Sequence, residues 1–252
     1  MNNTLRNGLQ LLEALSQADG PMGITQLAQR TGLTKSNVHR LAQTLTESGY
    51  VLQDDASQYR ASLKMWQMGH GALRAVDVRR AAEGEMYRLL EASRETVHLS
   101  VLDGDDVVYL HKVDSPHPVR SYTEVGGRAP AACVATGKAL LAFGSPPQIE
   151  AVMRGLQAHT ATSVIEREAF LRELGQVRQR GYSVNRGEWR DGVWGVAAPI
   201  FAPGADAASG EAPVAAIGIS GPAQRLKPAR IRELAPQVVD AALAVTASMA
   251  RR

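Results

Sequence analysis

The chain has 252 residues, 44% of them hydrophobic, with a formal charge of +3 and a pI near 9.2. That length suits one large domain or two ordinary ones with a real core, and the charge is compatible with nucleic-acid binding without arguing for it. The single cysteine, Cys133, excludes an intrachain disulfide and a cysteine-based zinc site. With no run of membrane-spanning length and no signal-peptide pattern at the start, a cytoplasmic protein without membrane partners is expected.

Residues 4–17 predict a first helix with Leu5, Leu9, Leu12 and Leu15 on one stripe. The stretch Gly23–Gly49, GITQLAQRTGLTKSNVHRLAQTLTESG, reads as two short helices joined by a tight turn. Ile24, Leu27 and Ala28 share a face of the first helix, and Gly32 ends it by adopting positive φ. Thr34 is the expected N-cap of the second, whose buried stripe is Val38, Leu41, Ala42 and Leu45. A small residue at the crossing, a glycine in the turn and two locking apolar residues make this a helix-turn-helix. Its outward face carries Ser36, Arg40, Gln43 and Thr44, with Asn37 and His39 at the edges and Lys35 at the start. These residue types suit base edges and phosphates. No Asp or Glu occurs between Gly20 and Thr46, whereas Arg30, Lys35 and Arg40 do. Over residues 1–62, however, Arg6, Arg30, Lys35, Arg40 and Arg60 are matched by Glu13, Asp19, Glu47, Asp54 and Asp55. Affinity for DNA must therefore come from local placement of charge. The bland reading is a helical hairpin with a solvated face, which would ordinarily carry acids as well.

Residues 50–53 and 58–62 flank an Asp-Asp-Ala-Ser turn and predict a small hairpin, making 1–62 a winged helix-turn-helix domain. Arg60 on this wing either reaches the DNA backbone or is an ordinary surface arginine. Residues 63–77 read as a linker helix, with Leu63, Trp66 and Met65 as an apolar edge for contact between subunits. An amphipathic helix at 78–93 runs through Ala82, Met86, Leu89 and Leu90. It opens a second domain, 78–252. Strands are expected at 96–102, 107–113, 118–126, 193–201 and 213–220. Helices are expected at 136–143, 146–156, 165–180 and 228–250, with a loop rich in Gly, Ala and Pro at 203–213. Strands in two blocks with helices between and after them indicate an α+β domain of the small-molecule sensor type.

In GLTKSNVHRLAQTL (32–45), PAACVATGKALLA (130–142), RGYS (180–183), GEWRDGVWGVAAPIF (187–201) and AAIGISGP (215–222), the chain resembles the IclR family of bacterial transcription regulators. The resemblance covers nearly the full length. It implies a winged helix-turn-helix joined to a GAF-like mixed α/β effector-binding domain, and a homodimer or homotetramer that binds double-stranded operator DNA. The implied effector is a small organic acid.

Ala135, Thr136 and Gly137 lie where an irregular segment turns into a helix, so free amides there suit a carboxylate. The alternative is that Thr136 merely caps that helix. The resemblance carries the carboxylate contact to Ala135 and Thr136 and maps further effector-binding positions to Glu188 (Asn185 second), Gly195, Gly218 and Ser220. Trp194 and Trp189 stand nearby as an apolar wall, or else as packing. Glycines where relatives carry polar side chains leave space, pointing to an acid larger and flatter than a two- or three-carbon oxo-acid, aromatic acids included.

Cys133 with His98, His111 or His117 would suggest a thiol nucleophile, but no local motif supports it. The histidines show no metal spacing, and no phosphate-cradling glycine loop occurs. No catalytic residue, metal or cofactor is therefore expected. The second reading is an enzyme with an accessory DNA-binding domain; the third, a constitutive architectural DNA binder, leaves the sensor domain without a purpose.

Overall fold

The computed structural model describes residues 3–73 and 78–251, which fall into two compact units, 1–75 and 76–252. In the first unit, α1 (Asn3–Ser16), α2 (Ile24–Thr31) and α3 (Lys35–Glu47) pack around Leu11, Leu15, Leu27, Val38, Leu41 and Ala42. Gly32 closes α2 at φ 70°, the left-handed conformation that its missing Cβ permits. Thr34 caps α3, its hydroxyl accepting from the Asn37 amide at 3.4 Å. The antiparallel pair β1 (Val51–Gln53) and β2 (Tyr59–Ala61) forms the wing. Helix α4 (Leu63–Leu73) follows; residues 74–77 of the expected linker helix lie outside the described residues.

The expected stripe on the first helix is wrong in its first half. Leu5 and Leu9 are 62% and 52% exposed, and the core takes Leu11, Ala14 and Leu15 instead. Leu5, Leu9 and Leu12 line a groove with Leu41, Leu45, Tyr50 and Met68. The helix thus has two apolar edges, and leucine spacing alone does not say which meets the core.

In the second unit, six strands run in the order β5-β4-β3-β8-β7-β6, all neighbours antiparallel. They are β3 (Thr96–Asp103), β4 (Asp106–Val113), β5 (Arg128–Pro130), β6 (Ser183–Arg186), β7 (Val193–Ile200) and β8 (Ala215–Pro222). Side-chain alternation gives the sheet two faces. Val97, Leu99, Val196, Ala198, Ile217 and Ile219 pack against α5 (Val78–Ser93) and α9 (Pro228–Ala250). Val107, Tyr109, Ala197 and Ala216 meet a 3-10 turn (Ala131–Cys133), α6 (Ala135–Leu141), and α8 (Arg167–Arg180) through Phe170, Leu174 and Val177. Helix α7 (Pro146–Arg154) contributes Ile149 and Val152 to this layer.

Two expectations about strands need correction. Residues 118–126 form no strand: Pro116 and Pro118 lack donors, and the segment turns at Gly126 (φ 82°) before pairing begins at β5. Strand β6, only four residues long between Gly181 and Gly187, was not anticipated.

Candidate functional site

Helix α3 offers one site. Its buried side is fixed by Val38, Leu41 and Ala42, which leaves Lys35, Ser36, His39, Arg40, Gln43 and Thr44 exposed and Asn37 half-buried. Arg40 Nη2 donates to Asn37 Oδ1 at 3.5 Å, and Gln43 Nε2 donates to Glu47 Oε1 at 3.2 Å. These are single weak contacts on an open face, so the side chains remain available to a duplex. Thr44 donates back to Arg40 O at 3.0 Å and borders the α1 groove, so it sits at the margin of the reading face. Arg60 is exposed on β2, without an ion pair among the described residues.

The second site is a cavity of about 230 Å³ between the sheet and the start of α6. His98 (β3), Gly218 and Ser220 (β8), Gly195 (β7) and Asn185 (β6) form its floor. Val134, Ala135 and Thr136 form its roof, and residues 121–124 with Trp189 and Arg190 its walls. Val134 is the N-cap of α6 and provides no side-chain cap, so the first-turn amides of α6 lack that partner. Thr136 is inside the helix rather than capping it, and its hydroxyl has no partner among the described residues. The roof approaches its neighbours closely: a Cβ on Gly137 would lie 2.2 Å from Ala131 O. The Ser183 hydroxyl, from β6, donates to Ala135 O.

At the floor, His98 is 4% exposed. Its Nε2 lies 2.6 Å from Ser220 Oγ and its Nδ1 3.3 Å from Thr123 Oγ1, with the Tyr109 ring 5.2 Å away. Burial, helped by Lys112 and opposed by Asp114, lowers its pKa to about 4, so the ring is neutral at ordinary pH. Burial likewise pushes Tyr109 up to about 12, against Arg190. Asn185 Oδ1 accepts from the Glu188 amide at 2.9 Å, leaving the Asn185 side-chain nitrogen as the donor for the cavity. Arg190 stands exposed at the mouth with no ion pair among the described residues.

Ala135, Thr136, Gly195, Gly218 and Ser220 therefore line one cavity, whereas Glu188 and Trp194 do not. Glu188 turns away onto Lys138 Nζ, 2.6 and 2.7 Å from its two oxygens, in a buried cluster that also holds Glu173 at 2.7 Å. Burial raises the Glu188 pKa and Lys138 opposes it. The position facing the cavity is Asn185. Trp194 points to the α5/α9 face because it alternates with Gly195 along β7. Trp189, edge-on to His159 at 4.5 Å, is the tryptophan in the wall. The glycines do not leave the expected room either: a Cβ would lie 2.9 Å from Ile219 O at Gly195 and 2.7 Å from Ala197 Cβ at Gly218. His98 escaped the sequence reading as a cavity residue. Its one signal was a polar residue on the Thr96–His98–Ser100 side of a strand otherwise apolar.

Cys133 is buried at the end of the 3-10 turn before α6, its thiol pushed up to about 11 by burial and Glu188, against Lys138. A protonated thiol is a poor nucleophile.

A winged helix with an exposed reading face, in one chain with a domain that encloses a polar cavity, is the architecture of a DNA-binding transcription regulator. Residues 4–55 match the IclR helix-turn-helix domain and residues 70–247 the C-terminal domain of bacterial IclR transcriptional regulators; the chain belongs to the IclR family of transcriptional regulators. It is 34% identical to the HTH-type transcriptional regulator KdgR of Escherichia coli (strain K12) over 95% of this chain and 89% of that protein. Its fold is similar to the crystal structure of Thermotoga maritima IclR, with TM-score 0.80, 25% identity and coverage of 99% and 100% of the two chains. An IclR homologue from Microbacterium hydrocarbonoxydans, complexed with 4-hydroxybenzoate, shares the fold at TM-score 0.85 and 22% identity over 99% of this chain and 100% of that one.

Proposed function

We propose that this regulator reads operator DNA through the outward face of α3 and is controlled by a small organic acid bound under α6. In this reading residues 1–62 hold the DNA, 63–77 link, and 78–252 sense the acid; Lys35, Ser36, Asn37, His39, Arg40 and Gln43 face the duplex, with Thr44 at the margin. The observation that carries the effector half is the meeting of first-turn amides of α6 with Thr136, Asn185 and Ser220 around one cavity. A carboxylate accepts from all of these donors. The cavity volume favours an acid larger than a two- or three-carbon oxo-acid. Trp189 supports a flat one, as does the presence of 4-hydroxybenzoate in a protein of the same fold. The working form is a homodimer or homotetramer, because one reading helix per chain contacts too few bases for specificity.

This regulatory reading is preferred to an enzyme with an accessory DNA-binding domain. The raised Cys133 thiol removes the one nucleophile weighed, and relatives are described as regulators and repressors. No helix among the described residues is long and apolar enough to cross a membrane, in keeping with a protein that works on DNA in the cytoplasm. A thermal-shift screen of metabolite acids tests the reading. An acid that binds only the folded state raises the melting temperature, by roughly 3 kcal/mol of stabilisation at a hundredfold excess over Kd. Stabilisation by cationic or neutral metabolites alone would contradict it.

A further inference from the structure

We infer that His98 is a positioning residue for the effector: its uncharged ring turns the Ser220 hydroxyl into a hydrogen-bond donor toward an acid oxygen and holds Thr123 through the same chain of bonds. The inference rests on the organic-acid reading of the cavity and deepens it.

The geometry is a three-member relay joining β8, β3 and the segment before β5. Ser220 Oγ lies 2.6 Å from His98 Nε2, and Thr123 Oγ1 lies 3.3 Å from His98 Nδ1. A neutral imidazole has one donor and one acceptor, while each hydroxyl serves either way. The relay therefore runs in one of two senses. In the first, Thr123 O–H donates to Nδ1 and Nε2–H donates to Ser220 Oγ, which frees the Ser220 proton for the cavity. In the second, Ser220 O–H donates to Nε2 and Nδ1–H donates to Thr123, which leaves Ser220 only lone pairs.

A carboxylate only accepts, so its presence beside Ser220 selects the first sense. Ser220 is near enough to the roof for this: a Cβ on Gly195 would lie 3.5 Å from Ser220 Cβ and 3.7 Å from Ala135 Cβ. Ser220 and the first residue of α6 therefore flank the same glycine, and the proposed acid group is placed between them, accepting from the Ser220 hydroxyl. An imidazolium would donate at both nitrogens; it would still free the Ser220 proton but would reverse the Thr123 bond and abolish the choice between the two senses. The ring is kept neutral by burial, with Lys112 beside it and Asp114 opposing. At the far end Thr123 belongs to the wall segment 121–124, so acid binding fixes the hydrogen-bond sense of that wall.

Calorimetry on the full chain, with 4-hydroxybenzoate and gluconate as probe acids, tests this together with histidine ¹⁵N spectra. Ser220→Ala and His98→Leu should each weaken the bound probe roughly tenfold, while His98→Gln, whose amide nitrogen reproduces the Nε2–H donor, stays within about threefold of wild type. At pH 7 the His98 signals of the complex should report the neutral Nε2–H tautomer. A merely structural histidine would not separate the leucine from the glutamine variant. Wild-type affinity in His98→Leu, a glutamine variant as weak as the leucine one, or an Nδ1–H or doubly protonated ring in the complex would each overturn the inference alone. Failure of both acids to bind wild type would contradict the organic-acid reading and this inference with it.

Discussion

Arg40 projects from α3 opposite the side that Val38 and Leu41 bury, so it can be removed without touching the core. Arg40→Ala should leave the fold and effector binding intact and lower specific operator affinity by about 1–3 kcal/mol, the worth of a bidentate base contact. Footprinting at matched salt checks this; an unchanged footprint refutes it. His98 makes a prediction about pH. The unfolded imidazole takes up its proton near 6.5, whereas the folded ring resists until about 4, so the unfolded state binds more protons in that window. The contribution of His98 to stability is therefore fully present above pH 6.5 and lost as pH falls toward 4, by up to roughly 3 kcal/mol. Urea unfolding at pH 7.5 and pH 4.5 should show a larger acid loss in wild type than in His98→Gln, and equal losses would contradict it. Part of this site was legible from residues alone. Trp194 and Gly195 are neighbours on a strand, so period-two alternation already forbade both from facing one cavity. Glu188 was not legible, because its direction is set by Lys138, fifty positions away on α6.

At the scale of elements, the start of α6 is the part whose placement the site depends on most. It is pressed onto the 3-10 turn at Gly137 and tied to β6 through Ser183 and Ala135. Gly137→Ala would drive a methyl into the Ala131 carbonyl, so the C-terminal unit should lose about 3 kcal/mol or more, the upper range for overpacking. An unshifted unfolding midpoint for that unit would show the roof to be looser than the structure has it. The helix-turn-helix was readable because cap, turn glycine and buried stripe all fall within one short stretch. Residues 118–126 were not, because what they do is decided by a partner well back in the chain: Tyr109 bonds Gly126 and Gly127. Strand β6 was not, because its four residues are too few to show a period before they pair with β7. The same limit explains α1, whose leucines satisfy helical spacing on two faces.

Taken as a whole molecule, one chain holds the helix-turn-helix and the cavity under α6 in separate compact units. A single reading helix implies assembly, so sedimentation should find a dimer or larger, with a binding site of approximate two-fold symmetry. A monomer that binds its operator tightly would contradict this. The central claim is that occupancy of the cavity changes how α3 holds DNA. Fluorescence anisotropy of the full chain on a site selected from random duplexes, with and without the acid that most raises its melting temperature, measures that coupling directly. The account predicts a change in operator Kd of roughly 5- to 150-fold in wild type, together with an undiminished thermal shift by the acid in Arg40→Ala. An operator affinity unchanged by a saturating acid would contradict it.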